Sequence, residues 1–570
     1  MINVVITVIL LSLLLTSSLI AVFGKRLAGR SHQISVPAIA LAFIGSVLIF
    51  LSLTSGGSVQ FELPMFSHSG PDWFRIDFYI DRLSAVLMLL ITAVSGVIHV
   101  YSIKYMQGDE GYARFFSLLG FMTFVLLALV TSGSLFTLLV WWQLVSWLLY
   151  LLLSHNYGHG PAVRSAFKSF VILRLGDMAL LLGVLLAYKA YGTLQFPTLF
   201  ERAAANIHTI QLWSAGPEIS TATAVTLLLF IGAMSKSAQL PLHIWLPDTM
   251  DAPTPVSALM HAGIVNAGGF LINRLAPLYG LSSATLHIVF LVGLLTTIVG
   301  TTIMLTRTDV KTKLGFSTMG QMGFMIMECG LGAFALALFH LVAHGIFKAT
   351  LFLSAATVIH KVRMDPHSSP REKPSEPKEF RRLPWATGVL MTLLLPLIIL
   401  LVAHTVVAVP LHDAQGTIIL LFFAWVTSSQ AILSLYSMKT IGSWKVAIAM
   451  VLAVFLIVVT YVWATDTFTY FLYPTAGEAT RYFHTAAFPL WLFDSFIGVI
   501  LALFLGGWSI SYTNRRGKHS LIPGWMRDLS PRFYVWFWNR LYFDRLYAML
   551  GQNIVATAKR LNATLPDWIP

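Results

Sequence analysis

Lys236 stands inside the apolar run LLLFIGAMSKSAQLPLHIWLP. Ionisable residues within such a run are costly, which makes them functional candidates. Burial disfavours the ammonium form, so an amine there can take up and release a proton. Pro241, five residues on, removes a backbone donor and breaks the helix. Broken helices at the bilayer midplane offer free backbone ends to ions and water. The alternative is a lysine that snorkels from a helix end. His340, His344 and Lys348 follow in LFHLVAHGIFKATLFL at i, i+4, i+8, on one helix face. Histidine titrates near neutrality, so the row suits stepwise proton transfer. The alternative is hydrogen bonding that holds neighbouring helices together. Metal ligation by the two histidines is a further possibility, but no HExxH-type carboxylate accompanies them. His261, in PTPVSALMHAGIVNAGG, bridges the two groups if the helices are adjacent, or else is a hydrogen-bonded structural residue. Arg174 and Asp177, at i, i+3, form a structural or field-tuning ion pair. His404, beyond Pro396, is a candidate for the far end of a path.

These residues need apolar helices to position them. The chain has 570 residues, 57% hydrophobic and 11% charged. Soluble domains carry about 25% charged residues. Runs near the ~20 residues needed to cross a bilayer recur from end to end. About fifteen spans are expected, with approximate cores at 3–23, 35–54, 78–102, 115–131, 134–153, 165–189, 222–245, 254–276, 284–305, 313–329, 331–359, 385–408, 417–437, 446–464 and 487–512. The fold class is an all-α polytopic membrane protein. Residues 1–512 form the membrane domain, with a cytoplasmic loop at 360–383, and 513–570 form a basic, aromatic tail.

Alternate connections collect Lys and Arg, from Lys25, Arg26 and Arg30 to Lys439 and Lys445. The positive-inside rule then puts the N-terminus outside and the C-terminus in the cytoplasm of a bacterial inner membrane. The first run, Val4 to Phe23, lacks a charged n-region and a cleavage site, and so reads as a first membrane helix. The net charge of +13 is dispersed over short loops and the tail, which argues against nucleic acid and for a membrane. Cys329 is the single cysteine, so the chain has no disulfide framework and no cysteine metal site. Asp365 to Glu379 reads as a linker, and RFYVWFWNRLYFDRLYAMLG as an interfacial helix against membrane lipid. No enzymatic catalytic site is evident.

SKSAQLPLHIWLPDTMDAPTPVSALMHAGIVNAGG, FSTMGQMGFM and FHLVAHGIFKATLFL resemble the antiporter-like membrane subunits of respiratory complex I and of Mrp-type Na⁺/H⁺ antiporters. The likeness is dense over residues 75–360. It implies two inverted five-helix repeats, each with a broken helix. It makes Lys236 the central protonatable lysine and His261, His340, His344 and Lys348 the polar axis. Two departures stand out. Gln143 occupies the place of a glutamate that usually pairs with the central lysine, and glutamine cannot ionise. His404 and Thr405 stand where a second lysine is usual. The chain is in these respects similar to the membrane subunit of DAB-type inorganic-carbon transporters. That resemblance implies a large peripheral zinc-containing partner like a β-carbonic anhydrase, with H⁺ or Na⁺ flow energising its conversion of CO₂ to bicarbonate. No cofactor is expected in this chain; the zinc belongs to the partner. A redox-driven pump subunit of a complex I or membrane-hydrogenase assembly and an antiporter subunit are the alternatives.

Overall fold

A computed structural model describes residues 2–54, 56–62, 76–205, 209–211, 218–364, 466–475, 477–495 and 524–562, with isolated positions between 394 and 506. The expected spans at 385–408, 417–437 and 446–464, most of the one at 487–512, the linker and the second broken helix lie outside the described residues, apart from those isolated positions. So does His404.

Helix α1 (Ile2–Leu27) turns back into α2 (His32–Leu53). Then come α3 (Arg82–Tyr105), α4 (Tyr112–Val130), α5 (Leu135–Leu153) and the long α6 (Gly160–Tyr191). Helix α7 (Phe196–Ala205) is short. Next are α8 (Thr221–Lys236), α9 (Thr254–Ala262), α10 (Ala267–Arg274) and α11 (Ala276–Tyr279). Helices α12 (Ser283–Thr306), α13 (Val310–Gly330) and α14 (Phe334–Met364) complete the series of spans. Among the described residues nine helical segments are long and apolar enough to cross a membrane; α8 is shorter. The protein is an all-α polytopic membrane protein; helices stand in order at the positions of its first eleven expected spans, nine of which are long and apolar enough to cross a membrane.

Local chemistry explains where the helices start. Asp81, Ser134, Ser220, Ser282 and Asp309 each accept a hydrogen bond from the backbone N–H three residues on, capping α3, α5, α8, α12 and α13. Pro161 opens α6 and Gly192, in the left-handed region, closes it. Two short hairpins lie in connections: β1 (Val59–Glu62) with β2 (Asp77–Ile80), and β3 (Thr209–Gln211) with β4 (Glu218–Ser220). The expected span at 78–102 therefore begins in a strand, because Asp81 caps the helix only after Ile80.

Helix α4 sits at the centre and is almost wholly buried. Small residues let other helices approach closely. A Cβ on Gly176 of α6 would overlap Ser235 of α8, and one on Gly293 of α12 would overlap the backbone of Met327 in α13.

Helix α15 (Glu478–Ala486) precedes the tail, which forms α16 (Gly524–Trp538) and α17 (Phe543–Asn562). The expected single interfacial helix is in fact two. Arg540, Leu541 and Tyr542 between them hold φ of 54°, 54° and 58°, a left-handed conformation costly for non-glycine residues. The turn is held by charge. Lys168 of α6 meets Asp248 at 2.6 Å and Asp544 at 2.5 Å. Arg540 meets the same two carboxylates at 2.5 and 3.4 Å. Arg307 also donates to the Trp538 carbonyl at 2.7 Å. This clasp fixes the tail to the segment that follows α8. The apolar side chains of α17, Leu546, Met549, Leu550, Ile554 and Val555, are exposed.

Candidate functional site

Lys236 is the last residue of α8 and is fully buried. The helix ends four residues ahead of the break that Pro241 alone would impose. Ala238 takes φ of 48°, and the chain continues without helix to a 3₁₀ segment at Leu246–Asp251. The helix carbonyl end, which favours a cation, therefore lies at the lysine itself. Trp245 Nε1 donates to the Ser235 carbonyl at 2.9 Å, and Ser237 Oγ to the Val265 carbonyl at 2.6 Å. These bonds satisfy the broken end.

The amine donates to the Trp142 carbonyl at 3.1 Å and to Ser146 Oγ, both on α5, and lies 5.3 Å from the Trp142 ring centre. Ser146 Oγ donates to Asp177 Oδ2 at 3.3 Å. Trp142 Nε1 donates to the other carboxylate oxygen at 2.7 Å, and Arg174 pairs with Asp177 at 3.0 Å. Asp177 is 2% exposed and thus the buried counter-charge of the site, one hydroxyl away from Lys236. Gln143 does not face the lysine: its side-chain oxygen and its backbone carbonyl both accept from Arg174. The carboxylate of this group comes from α6.

The second group runs along α14. The His340 and His344 rings lie edge to face, 6.4 Å apart, and Lys348 Nζ donates to Ser317 Oγ at 2.8 Å. Helix α13 answers this row with Ser317, Gln321 and Glu328. His340 Nδ1 lies 3.0 Å from Glu328 Oε2, and its Nε2 lies 2.8 Å from Gln321 Oε1. His261 on α9 stacks on Phe352 of α14 with ring centres 4.3 Å apart. Both nitrogens of His261 and of His344 are buried with no protein partner among the described residues. Lys348 and His344 are titratable neighbours of His261. The fold therefore brings His261, His344 and Lys348 together. No hydrogen bond among the described residues joins them directly to Lys236; the link between the two elements is the hydrogen bond from Ser237 Oγ to the Val265 carbonyl in the Ile264–Asn266 turn. Among the described residues no group of three His, Cys, Asp or Glu has metal-ligand geometry.

Ser146, Ser317, Gln321 and Glu328 are polar members that sequence reasoning missed. A serine in an apolar run carries no signal of its own. Glu328, in GFMIMECG, is a carboxylate inside an apolar run and was open to the same argument that singles out Lys236.

Comparison with known proteins agrees with this architecture. Residues 132–442 match the family described as NADH:quinone oxidoreductase/Mrp antiporter, TM, and residues 69–116 match NADH-ubiquinone oxidoreductase (complex I), chain 5 N-terminus. The chain is 39% identical to a probable inorganic carbon transporter subunit of Halothiobacillus neapolitanus, over 96% of this chain and 97% of that one. It is 37% identical to subunit L of NADH-quinone oxidoreductase of Neisseria meningitidis, over 60% of this chain but 52% of that one. Among solved structures, the Mrp complex from Dietzia sp. DQ12-45-1b matches at 18% identity with a TM-score of 0.54, covering 98% of this chain and 63% of that one. A membrane-bound sulfane sulfur reductase, an archaeal respiratory complex, matches at 20% identity with a TM-score of 0.57, covering 84% and 99%. The two structures share the fold.

Proposed function

We propose a function from one premise: the chain belongs to the NADH:quinone oxidoreductase/Mrp antiporter family of membrane subunits. Our reading is that it conducts a cation, taken as H⁺, and that this flow energises inorganic-carbon accumulation by a large zinc-containing partner subunit. One observation carries the reading. The likeness to the inorganic carbon transporter subunit spans 97% of that protein, whereas subunit L of the redox complex is matched over 52% of its length.

The buried groups support conduction. Lys236 holds a proton against Ser146 and Asp177. His261, His344 and Lys348 form a second station, and His340 continues it along α14. His404 is proposed for the far end. Arg174 and Asp177 set the field at the first station, and Gln143 orients Arg174. A charge crossing the membrane releases about 2.3 kcal/mol per 100 mV, enough to bias hydration of CO₂ in a coupled partner. The N-terminus is read as outside and the C-terminus as cytoplasmic, so the clasp faces the partner's compartment.

The test is growth of a carbonic-anhydrase-deficient bacterium in ambient air, expressing this chain alone or with the protein encoded beside it. Rescue that needs both proteins and is abolished by an uncoupler is the expected result. A well-expressed pair that gives no rescue sinks the carbon reading. It would leave the redox-pump reading, which the complex I relatives favour.

A further inference from the structure

We propose that Glu328, His340 and Gln321 form a proton-loading site, with Glu328 as its fixed negative charge. The proposal rests on the proton-conducting reading above. It adds a carboxylate and an amide to which no role has been given.

The imidazole of His340 is held between two partners on α13. Nδ1 faces a carboxylate oxygen at 3.0 Å and Nε2 faces the Gln321 amide at 2.8 Å. A carboxylate only accepts, so Nδ1 carries a proton in every state that keeps this bond. The state of Nε2 is then free to change. When Nε2 is protonated it donates to the amide oxygen, and the imidazolium is neutralised by Glu328. When Nε2 loses its proton, the amide presents its NH₂ group instead. Oxygen and nitrogen of an amide occupy nearly the same shape, so the exchange costs a rotation and no repacking. Both protonation states are thus hydrogen-bonded, as a group that must load and unload requires.

Burial makes the carboxylate necessary. Glu328 is 2% exposed, and its second oxygen, Oε1, has no partner among the described residues. A buried ion without a counter-charge is costly, and imidazolium supplies one. Among the described residues no second acid is in contact with His340. From α13 the Phe324 ring stands edge-on to His340 at 5.2 Å, beside Glu328 and Gln321. From α14 itself His344 lies 6.4 Å away, with Lys348 one turn further along. His344, both of whose nitrogens are unpartnered among the described residues, offers its one bare nitrogen as the neighbouring acceptor for the Nε2 proton.

The test uses the full-length chain in proteoliposomes, with proton uptake driven by a potassium diffusion potential and read by an entrapped pH dye. Glu328→Gln keeps the shape and the hydrogen bond but removes the charge. Its flux should fall about tenfold or more, about 1.4 kcal/mol of barrier, and Glu328→Asp should fall less. Gln321→Leu should fall similarly, and it covers the case in which Glu328→Gln does not yield monodisperse protein. Wild-type flux in either variant overturns the proposal. A second measurement separates this from failure of the conduction reading: ¹⁵N-histidine spectra near pH ~6, with His340 assigned through His340→Gln. If the wild type carries no flux, the conduction reading fails. Two protonated nitrogens on His340, lost in Glu328→Gln, would still sustain the loading site. A neutral His340 with one bare nitrogen in the wild type would overturn it.

Discussion

Replacing Gly176 by alanine tests whether helix spacing sets the alignment at Lys236. The added Cβ would overlap both the Cβ and the Oγ of Ser235, and would stand 3.2 Å from the Ile231 carbonyl. Ordinary carbon contacts are about 3.5–4 Å, so α6 and α8 must part by roughly 1 Å or more. Overpacking of this kind costs about 1–3 kcal/mol. The functional loss should be larger than the stability loss. Gly176 lies next to Asp177, whose carboxylate must stay within reach of Ser146 at 3.3 Å. A misplacement of ~1 Å at a reacting group can cost about a hundredfold in rate. Two controls accompany it. Gly183→Ala, on the same helix pair, meets the flexible end of Leu229 at 2.9 Å and should be mild. Ser235→Gly in the Gly176→Ala background removes the obstruction and should restore most of the flux. The assay is proton uptake in proteoliposomes beside thermal unfolding of the purified protein. Equal damage from Gly176→Ala and Gly183→Ala, or no rescue by Ser235→Gly, would refute the reasoning.

Lys236→Ala should abolish carbon-dependent growth while the chain still co-purifies with its partner; retained growth would remove the lysine from the path. Asp248→Asn cuts one carboxylate from the clasp. Each exposed pair contributes ~1 kcal/mol or less, so the whole protein should barely lose stability while limited proteolysis near residue 540 speeds up by about five- to tenfold. Burial would raise the Asp544 carboxyl, but the hydrogen bond and charge of Lys168 and the charge of Arg540 outweigh it and hold the group below its usual range. Its stabilisation is therefore present above the unfolded value near ~3.9 and is lost as pH falls through the folded value, so proteolysis of the tail should accelerate only in acid. His155, in the α5–α6 connection, is pushed down by burial in spite of Asp109 at 3.2 Å. A base with a depressed folded pKa is more stable neutral. Stability should thus decline as pH falls below about 6.5, and His155→Gln should flatten that dependence in thermal melts.

Helices at eleven expected positions were legible because a bilayer demands long apolar runs, and nine of them are long and apolar enough to cross it. The placement of Lys236 was read less well. Pro241 announces a break, but the helix ends at the lysine, where Ala238 turns to a positive φ and Trp245 Nε1 donates to the freed Ser235 carbonyl. The i, i+4, i+8 spacing did place His340, His344 and Lys348 on one face, because that follows from helix geometry alone. What answers them across the helix boundary was hidden. Ser317, Gln321 and Glu328 share one face of α13 at i, i+4, i+11, but that this face meets α14 follows from packing, including the close approach of Gly293 to Met327. Gln143 shows the same limit. Its sequence position suggested a partner for Lys236, whereas the rotation of α5 turns Trp142 and Ser146 to the lysine and leaves Gln143 to Arg174. The clasp was out of reach, since Lys168 and Asp544 are 376 positions apart.

That separation has a consequence in time. Arg540 follows Asp248 by 292 residues. At ~5–20 residues per second, a ribosome needs roughly 15–60 s to bridge them. Throughout that interval the segment after Lys236 is in the membrane but not yet fastened. The stretch beside the central lysine is therefore among the last parts of the bundle to be locked. A nascent chain cut short before Trp538 would carry every buried titratable group described here and still lack the latch that holds them in register.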